Sequence, residues 1–393
     1  MSLSREKKLN IVMLNMSPYS DWQSGIVNRN YFVFKELEKN SNISQILAID
    51  FLGYGIKRGV KGLLRNIKGY QGRGVMKGLF SHCDQINDKL SVYLCAYPLI
   101  SRKKVLNDVQ NLIKKLKMQE NLVLWSFNPI FSDLFGRIGE KLVIFDTVDN
   151  WAEHASYIAH KNELLKNYKA VSEKADIIFT VSEELIDFYK SLGRSENVYW
   201  IPNGVEVGHF AKTIIEEKSH LKIKKPIIGY VGTVQERFDF DLFEYLAKEN
   251  QDKNFVIIGP VWKGVLEKAK SLKKKHKNIW FLGRKNYAQS PQYLKQFTVA
   301  IIPHKINHFI KSTNPMKMYE YLACGLPVVS TRGAGVDMFK DYIYITNDFK
   351  NFSHYIDLAI KENSEELRQK RINAVKDHSW ESRVKKMLDV IYP

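Results

Sequence analysis

Short apolar runs rich in β-branched residues alternate with longer amphipathic segments along the whole chain. In the first half this spacing predicts strands near residues 9–13, 46–50, 91–95, 121–125, 142–146, 177–181 and 198–201. In the second half it predicts strands near residues 227–231, 255–259, 279–282, 298–302, 327–331 and 343–346. Strand–helix alternation favours parallel sheets covered by helices, and these strands are too many for one open sheet. We therefore predict an α/β chain with two doubly wound domains.

A polar stretch after residue 201 marks the expected junction between the domains. Pro202-Asn203-Gly204 supplies turn residues after a strand, residues 212–225 are polar and rich in charge, and a new strand starts at Pro226. This pattern predicts domains at residues 1–205 and 206–374.

The carboxyl-terminal segment 364–393 is predicted to be one helix. Its apolar face consists of Trp380, Val384, Met387, Leu388 and Ile391. From about residue 375 this helix is expected to pack either on the second domain or back on the first.

The chain carries a formal net charge of +18 over 393 residues, and most of it lies in one region. Residues 51–117 contain fourteen Lys and Arg against three Asp, a net charge of +11. Such an excess predicts an anionic partner, which is a nucleic acid, a membrane surface or a phosphorylated ligand. No module for nucleic-acid recognition is visible, so a nucleic-acid partner is the least favoured of the three.

The amino-terminal segment, the apolar runs and the cysteines do not indicate export. No apolar run reaches the roughly 18 residues of a membrane-spanning helix, and the amino-terminal segment is too short for a signal peptide. Three cysteines without a Cys-x-x-Cys pair favour a reducing compartment. The sequence therefore predicts a cytoplasmic protein.

Within the basic region, the segment 57–80 carries positive charge interleaved with apolar residues. The basic residues that we assign to a membrane or acceptor surface are Lys57, Arg58, Lys61, Arg65 and Lys68. A basic amphipathic segment is typical of binding to an anionic membrane. Eight glycines between residues 53 and 78 argue against a rigid helix, so a mobile loop is an equally open interpretation.

Two places in the first half carry candidate chemistry. After the first strand, Gly25 precedes a helix expected from about Val27, where the backbone could approach an anionic ligand; an ordinary strand–helix turn is as plausible. After a later strand, Asp146 and Asp149 lie where doubly wound sheets bind ligands. We assign Asp149 as the catalytic base for an acceptor hydroxyl and Asp146 as structural, with a helix-capping role for one of them as the alternative.

In the second half, Gly232 ends an apolar strand and could let its backbone approach a phosphate. Arg237 follows close behind, and its guanidinium suits bidentate contact with phosphate oxygens. Asp239-Phe240-Asp241 has the form of a metal-binding Asp-x-Asp. We interpret it instead as the acidic start of a helix, because an apolar helical pattern follows at once.

The most informative segment is residues 312–331. Ser312, Thr313 and the start of a helix at Pro315 offer hydroxyl and amide groups, and Met316 and Lys317 fall in the first helical turn. A lysine there opposes the helix macrodipole unless an anion is bound. Glu320 lies one turn on, on the same face. The alternative is an ordinary capped helix whose lysine and glutamate pair in solvent.

The sequence lacks the motifs of several other enzyme classes. The sequence has no His-Glu-x-x-His or Cys/His ligand spacing, no Gly-x-Ser-x-Gly and no Walker motif. We therefore expect no metal site, no serine hydrolase and no P-loop nucleotide hydrolase.

The segment Glu320-Tyr-Leu-Ala-Cys-Gly-Leu-Pro-Val-Val-Ser-Thr331 resembles the donor-site signature of GT-B glycosyltransferases of group 1, the family 4-like branch. Further matches are Ala175–Ser182, Ile201–Val205, Gly229–Gly232 and Leu282-Gly283. The common family pattern has a first Glu at the position of Ser312. The serine of this chain resembles instead the variant found in transferases of the exopolysaccharide and teichuronic-acid type. This departure leaves retention or inversion at the anomeric carbon open.

The resemblance implies two Rossmann-like domains facing a central cleft, with a UDP- or GDP-linked sugar bound to the second domain without a metal or other cofactor. Lys317, Arg237, the Gly232 backbone and residues 312–316 would hold the diphosphate, and Glu320 the ribose. The acceptor, a lipid-linked saccharide or polysaccharide of envelope or capsule synthesis, would lie near Gly25 and Asp149. This predicts a peripheral protein at the inner membrane face. A nucleotide-sugar 2-epimerase on the same scaffold is the alternative.

Overall fold

The computed structural model describes residues 7–211, 221–333 and 335–392, without the side chains of Arg58 and of residues 65–68. The chain divides into two compact units. The first comprises the chain up to Ile201 together with the segment from Val384, and the second is Pro202–Arg383.

The described part of the first unit contains a nine-stranded sheet with the order β3-β4-β5-β2-β1-β6-β7-β8-β9. Its strands are β1 Leu9–Leu14, β2 Ile43–Ile49, β3 Arg73–Lys77, β4 Ser81–Gln85, β5 Leu90–Cys95, β6 Leu122–Ser126, β7 Leu142–Thr147, β8 Ile177–Thr180 and β9 Val198–Trp200. All neighbouring strands are parallel except the pairs β3/β4 and β4/β5. The central strands β1, β5, β6 and β7 are buried along their whole length, as expected for a sheet covered on both faces.

Six α-helices accompany this sheet in the described residues. They are α1 Tyr19–Gln23, α2 Arg29–Lys39, α3 Ile56–Lys68, α4 Arg102–Lys115, α5 Lys161–Lys174 and α6 Glu183–Ser191. Three short 3₁₀ helices cover Pro129–Leu134, Trp151–Glu153 and Ala155–His160.

The second unit has a six-stranded, wholly parallel sheet in its described residues, with the order β12-β11-β10-β13-β14-β15. The strands are β10 Ile227–Val231, β11 Asn254–Ile258, β12 Ile279–Phe281, β13 Val299–Ile302, β14 Val328–Ser330 and β15 Tyr344–Ile345. The helices are α7 Val207–Ala211, α8 Phe240–Glu249, α9 Leu266–Lys275, α10 Ser290–Leu294, α11 His308–Lys311, α12 Met316–Ala323, α13 Phe349–Lys361 and α14 Glu365–Ala374, followed by α15 Trp380–Ile391, of which only the start belongs to this unit. Short 3₁₀ helices cover Lys263–Val265, Tyr287–Gln289, Asp337–Phe339 and Lys376–His378.

Each strand predicted from the sequence is present, and both units are doubly wound. The sequence pattern missed β3 and β4, which form an antiparallel hairpin at one edge of the first sheet. Their sequences, Arg73–Lys77 and Ser81–Gln85, are mostly polar, so no apolar run marks them.

The glycine argument against a helix in the basic segment is wrong, because residues 56–68 form α3. A Cβ on Gly59 would lie 2.7 Å from Leu99 Cγ, and one on Gly62 would lie 2.8 Å from the Cys95 carbonyl oxygen. The two glycines therefore face the end of β5 and let the helix pack closely there, which offsets their low helix propensity.

The predicted carboxyl-terminal helix is also interrupted. The segment consists of α14, a 3₁₀ turn and α15, and Ser379 between them forms an isolated parallel bridge with Val205. The predicted apolar face of α15 is correct, since its five residues are all buried. The helix crosses the boundary between the units at Val384. No helix in the described ranges is long and apolar enough to span a membrane.

Candidate functional site

Helix α12 carries the strongest sequence signal, and its two ends are capped in different ways. It begins at Met316, one residue later than predicted, with Pro315 as an N-cap that makes no side-chain capping bond. It ends at Ala323 with Cys324 as its C-cap, and the next residue is Gly325, whose φ of 72° favours glycine. There the amide nitrogens of Gly325 and Leu326 donate to the carbonyls of Leu322 and Tyr321 at 2.8 and 3.0 Å.

The two hydroxyl groups before α12 donate hydrogen bonds to carbonyls of the preceding helix, α11. Ser312 Oγ donates to the Phe309 carbonyl at 2.9 Å, and Thr313 Oγ1 donates to the Ile310 carbonyl at 2.9 Å. Both residues are buried. A phosphate at this point would compete with these bonds for the hydroxyl protons, so binding of phosphate by Ser312 and Thr313 stays a prediction.

Lys317 is held inside the second unit rather than in solvent. Its side chain is 9% exposed, and its Nζ lies 5.0 Å from the ring centroid of Tyr230. A Cβ on Gly232 would lie 2.9 Å from Lys317 Cε, and the φ of 144° at Gly232 also favours glycine. The structure therefore brings together Gly232 and Lys317, which are 85 positions apart in the sequence.

The charges around Lys317 are mostly positive. Burial, followed by the charge of Arg237, lowers the pKa of Lys317 from 10.5 to about 7, and Glu320 acts in the opposite direction. Burial and the same two cations, Lys317 and Arg237, lower the pKa of His304 well below its usual value. An anion bound here would compensate this excess of positive charge.

Glu320 is also 9% exposed, and burial raises its pKa from 4.5 to about 7, with Lys317 opposing and Glu206 adding to this effect. Within the described ranges, no carboxylate oxygen lies within 4.0 Å of Lys317 Nζ. The solvent-exposed Lys–Glu pair considered as the alternative is therefore wrong.

Arg237 is oriented by the loop that follows β10. With the Gln235 amide turned so that its oxygen faces the guanidinium, Arg237 Nε and Nη2 donate to it at 2.8 and 3.2 Å. The Arg237 carbonyl accepts from the Lys305 amide at 2.8 Å. The interpretation of Asp239 as a helix cap is confirmed, since its carboxylate accepts from the amides of Asp241 and Leu242.

Sequence reasoning missed residues that support this site. Tyr230 lies under Lys317, and its hydroxyl is 3.3 Å from His304 Nε2. Asn203 Nδ2 donates to the Asn314 carbonyl at 2.6 Å, so the Pro-Asn-Gly turn contacts the loop before α12. The sequence indicates the turn, but no local pattern indicates the loop that the turn contacts.

The candidate residues of the first unit lie on separate elements, with Asp146 inside β7 and with Gly25 and Asp149 on loops. Gly25, with φ 73°, ends the short helix α1, and α2 begins only at Arg29 behind an Asn28 cap, two residues later than predicted. Asp146 is fully buried in an ion pair with Arg29 at 2.7 Å, which agrees with a structural role.

Asp149 is half-buried at the end of β7, and its carbonyl accepts from the Tyr168 hydroxyl at 3.0 Å. The alternative that an aspartate caps the next helix is wrong, because Asn150 Oδ1 accepts from the Ala152 amide. The catalytic role of Asp149 stays a prediction.

In the basic segment, Lys57 and Lys61 are exposed on α3, beside an apolar stripe formed by Ile56, Val60 and Leu64. The side chains of Arg58, Arg65 and Lys68 lie outside the described residues. Met316 is half-buried at the first position of α12.

Residues 211–378 match the family model of the glycosyl transferases of group 1. A protein of Bacillus subtilis (strain 168), TuaH, is 26% identical over 283 residues, which cover 66% of this chain and 69% of that one. Its name assigns it as a candidate glycosyltransferase of teichuronic acid biosynthesis.

Solved structures share the fold over nearly the whole chain. HepE of Anabaena, solved with UDP and glucose, has a TM-score of 0.69 at 13% identity and covers 98% of this chain and 99% of its own. Sucrose-phosphate synthase of Thermosynechococcus elongatus has a TM-score of 0.70 at 13% identity, covering 98% of both chains. A TarM variant of S. aureus, solved with UDP and alpha-GlcNAc-glycerol among its ligands, has a TM-score of 0.62 at 12% identity and covers 98% and 100%.

These matches agree with the site built from the residues, since the family model spans the unit that contains Gly232, Arg237, Lys317 and Glu320. The chain has the GT-B fold, and its residues 211–378 match the group 1 glycosyl transferases.

Proposed function

We propose that the protein transfers a sugar from a UDP- or GDP-linked donor to a saccharide acceptor in cell-envelope polysaccharide synthesis. The observation that carries this proposal is the buried ammonium of Lys317, which lies against Gly232 and has no carboxylate within ion-pairing distance in the described residues. The name of TuaH favours the same class of product, and the UDP bound in HepE and in the TarM variant favours the same class of donor.

In this proposal the cations neutralise the leaving diphosphate. Lys317 and Arg237 contact its oxygens, the Gly232 backbone and the start of α12 donate amide protons, and Glu320 accepts hydroxyls of the ribose. Preorganised cations at a developing charge stabilise the transition state without the reorganisation that water would require. The proposal assigns this role to side chains rather than to a metal, so transfer should continue in excess chelator.

In the first unit, Asp149 is proposed to accept the proton of the attacking acceptor hydroxyl. A carboxylate positioned at the reacting hydroxyl can act as such a base. The Asn variant keeps the shape of Asp149 without the basicity. We expect Asp149→Asn to lower kcat by at least about a hundredfold while UDP binding is unchanged.

Donor binding is tested by titrating UDP and GDP into the wild type and into Lys317→Met. Loss of one buried charge-assisted contact, about 1.5–3 kcal/mol, predicts about 10–160-fold weaker binding. The matched control is Lys268→Met, which changes an exposed lysine on α9 of the same unit. Equal affinity in wild type and Lys317→Met contradicts the proposal, and epimerised sugar formed from donor alone favours the 2-epimerase instead.

We further propose that the acceptor is lipid-linked and that the first unit binds the anionic inner face of the membrane. Helix α3 supports this proposal. Ile56, Val60 and Leu64 follow one another at intervals of four residues and are 46–70% exposed, with Lys57 and Lys61 beside them. At the turn between β3 and β4, Leu79 and Phe80 are also exposed.

Membrane binding is tested by sedimentation with liposomes that contain anionic lipid. Each basic residue near such a surface contributes about 1 kcal/mol, so the double variant Lys57→Gln with Lys77→Gln should bind about 30-fold more weakly. The control is Lys166→Gln, an exposed lysine on α5. Absent binding, or binding insensitive to salt and to the double variant, refutes this part of the proposal.

A further inference from the structure

His304 is a buried, titratable residue beside the candidate donor site, and no step of the proposed reaction uses it. It is 5% exposed and follows β13, where its amide donates to Thr331 Oγ1 at 3.1 Å and its carbonyl accepts from the same hydroxyl at 2.8 Å. Its main chain also forms an isolated antiparallel bridge with Phe238. These bonds involve the main chain only, so the ring contributes a separate contact.

The histidine ring contacts the hydroxyl of Tyr230. Tyr230 Oη lies 3.3 Å from His304 Nε2, and it donates to the Thr233 carbonyl at 3.2 Å. A hydroxyl has one proton, so both contacts are hydrogen bonds only if His304 Nε2 carries a proton and donates it to Tyr230 Oη. Because burial and the cations Lys317 and Arg237 lower the pKa of His304 well below its usual value, this donor is the neutral imidazole.

An uncharged donor suits this position better than a charged or an apolar side chain does. A protonated histidine would add a third positive charge beside Lys317 and Arg237. An apolar residue would leave the oxygen of the buried Tyr230 hydroxyl without a donor, and a buried polar group costs free energy unless it is hydrogen-bonded. The neutral histidine avoids both costs.

Through Tyr230 the hydrogen bond of the histidine reaches the loop that follows β10. Thr233 comes directly after Gly232, and a Cβ on Gly232 would lie 3.4 Å from Tyr230 Oη as well as 2.9 Å from Lys317 Cε. The ring centroid of Tyr230 lies 5.0 Å from Lys317 Nζ. The tyrosine therefore contacts two parts of the candidate diphosphate site, because its ring lies against one cation and its hydroxyl holds the loop.

The chain segment around His304 also holds the second cation. The Pro303 carbonyl accepts from the Asp239 amide at 2.9 Å, and the Lys305 amide donates to the Arg237 carbonyl at 2.8 Å. The two bonds flank the histidine on one strand of chain and the arginine on the other. The main chain at Arg237 is therefore attached to the segment that carries His304.

We propose that His304 is a positioning residue of the donor site: its Nε2–H fixes the Tyr230 hydroxyl, and that hydroxyl fixes the loop 232–237 against the diphosphate. The proposal rests on the proposed function and extends it, because it assigns a role to a side chain that does not touch the substrate. A loop that is ordered before the nucleotide arrives loses less conformational entropy on binding, so the affinity for the diphosphate rises. A nucleoside without phosphates does not contact this loop, so its affinity should not depend on His304.

The test is NMR titration of the full chain with UDP and with uridine, which lacks the diphosphate, and with GDP and guanosine in parallel. His304→Leu removes the donor. We expect it to bind the nucleoside diphosphate about 3–10-fold more weakly and the nucleoside as tightly as the wild type does. His304→Gln, whose amide nitrogen can donate from the place of Nε2, should restore most of the affinity.

A double variant shows whether the histidine acts through Tyr230. Tyr230→Phe keeps the ring beside Lys317 but lacks the hydroxyl, so it should weaken diphosphate binding as much as His304→Leu does. Adding His304→Leu to Tyr230→Phe should then cause no further loss, because both changes remove the same hydrogen bond. The matched control is His354→Leu, which changes an exposed histidine on α13 and should bind like the wild type.

Wild-type affinity of His304→Leu for the nucleoside diphosphate, equal weakening of diphosphate and nucleoside, or no recovery in His304→Gln overturns the proposal. Melting curves show whether each variant is folded, and if His304→Leu is not, Tyr230→Phe decides by the same comparison. Failure of the donor proposal is distinguishable. Neither nucleoside diphosphate then binds the wild type, which overturns both proposals. Alternatively, Lys317→Met binds it normally while His304→Leu binds it more weakly, which overturns the donor proposal alone.

Discussion

Lys317 is expected to destabilise the protein when no nucleotide is bound, so its replacement by Met should raise the melting temperature. The pKa of Lys317 falls from 10.5 to about 7, which corresponds to about 5 kcal/mol of destabilisation below pH 7 at about 1.36 kcal/mol for each pH unit. The cation–π contact with Tyr230, about 1–2 kcal/mol, is lost in the variant and reduces the gain to about 3 kcal/mol.

The sign follows from proton binding. Between pH 7 and 10.5 the unfolded chain holds the Lys317 proton and the folded chain has released it, so stability from this group rises with pH. The cost is complete below pH 7 and falls to about 2 kcal/mol at pH 9. The advantage of Lys317→Met should therefore be largest at pH 6 and shrink towards pH 9.

The assay is thermal unfolding of wild type, Lys317→Met and the control Lys268→Met at pH 6, 7.5 and 9, with and without UDP. About 3 kcal/mol corresponds to about 6–12 °C for a unit of this size. UDP should raise the melting temperature of the wild type and of Lys268→Met more than that of Lys317→Met. A variant that melts at or below the wild type at pH 6, or that UDP still stabilises fully, refutes the reasoning.

Three further predictions follow from the same contacts. Because a bound anion raises the lowered pKa of Lys317, UDP binding at pH 8 should be accompanied by proton uptake. Calorimetry in buffers of different ionisation enthalpy measures this uptake, and a binding enthalpy that does not depend on the buffer contradicts the prediction. Gly232→Ala should weaken UDP binding at least about tenfold. The new Cβ would lie 2.9 Å from Lys317 Cε, and the φ of 144° would add backbone strain of about 1–3 kcal/mol. Unchanged UDP affinity in the titration would show that the loop tolerates a side chain. Asp146→Asn should lower the free energy of unfolding in urea by about 3–5 kcal/mol, because Arg29 loses its buried partner, whereas a loss within error would mean that the pair contributes nothing.

The apolar pattern of this sequence was sufficient for the parallel strands of both sheets, for the helix that starts near Pro315 and for the glycine that follows it. A strand buried on both faces needs an unbroken apolar run, and a helix that ends in a positive φ needs glycine. Such requirements act between residues close together in the chain, so the printed sequence reveals them. The candidate cluster Gly232, Arg237, Lys317 and Glu320 was also visible, through its resemblance to a known family.

Only the tertiary structure decided the environments of these residues. The same Lys317 and Glu320 could have formed a solvated pair on a surface helix, and their burial depends on Tyr230 and Gly232, which another strand supplies. The helical state of α3 likewise depends on the end of β5, against which its glycines pack. The hairpin β3–β4 and the hydrogen bond between Tyr230 and His304 arise from edges and loops that meet in space. Burial, electrostatic coupling and close backbone approach are set by residues distant in sequence, so no local pattern encodes them.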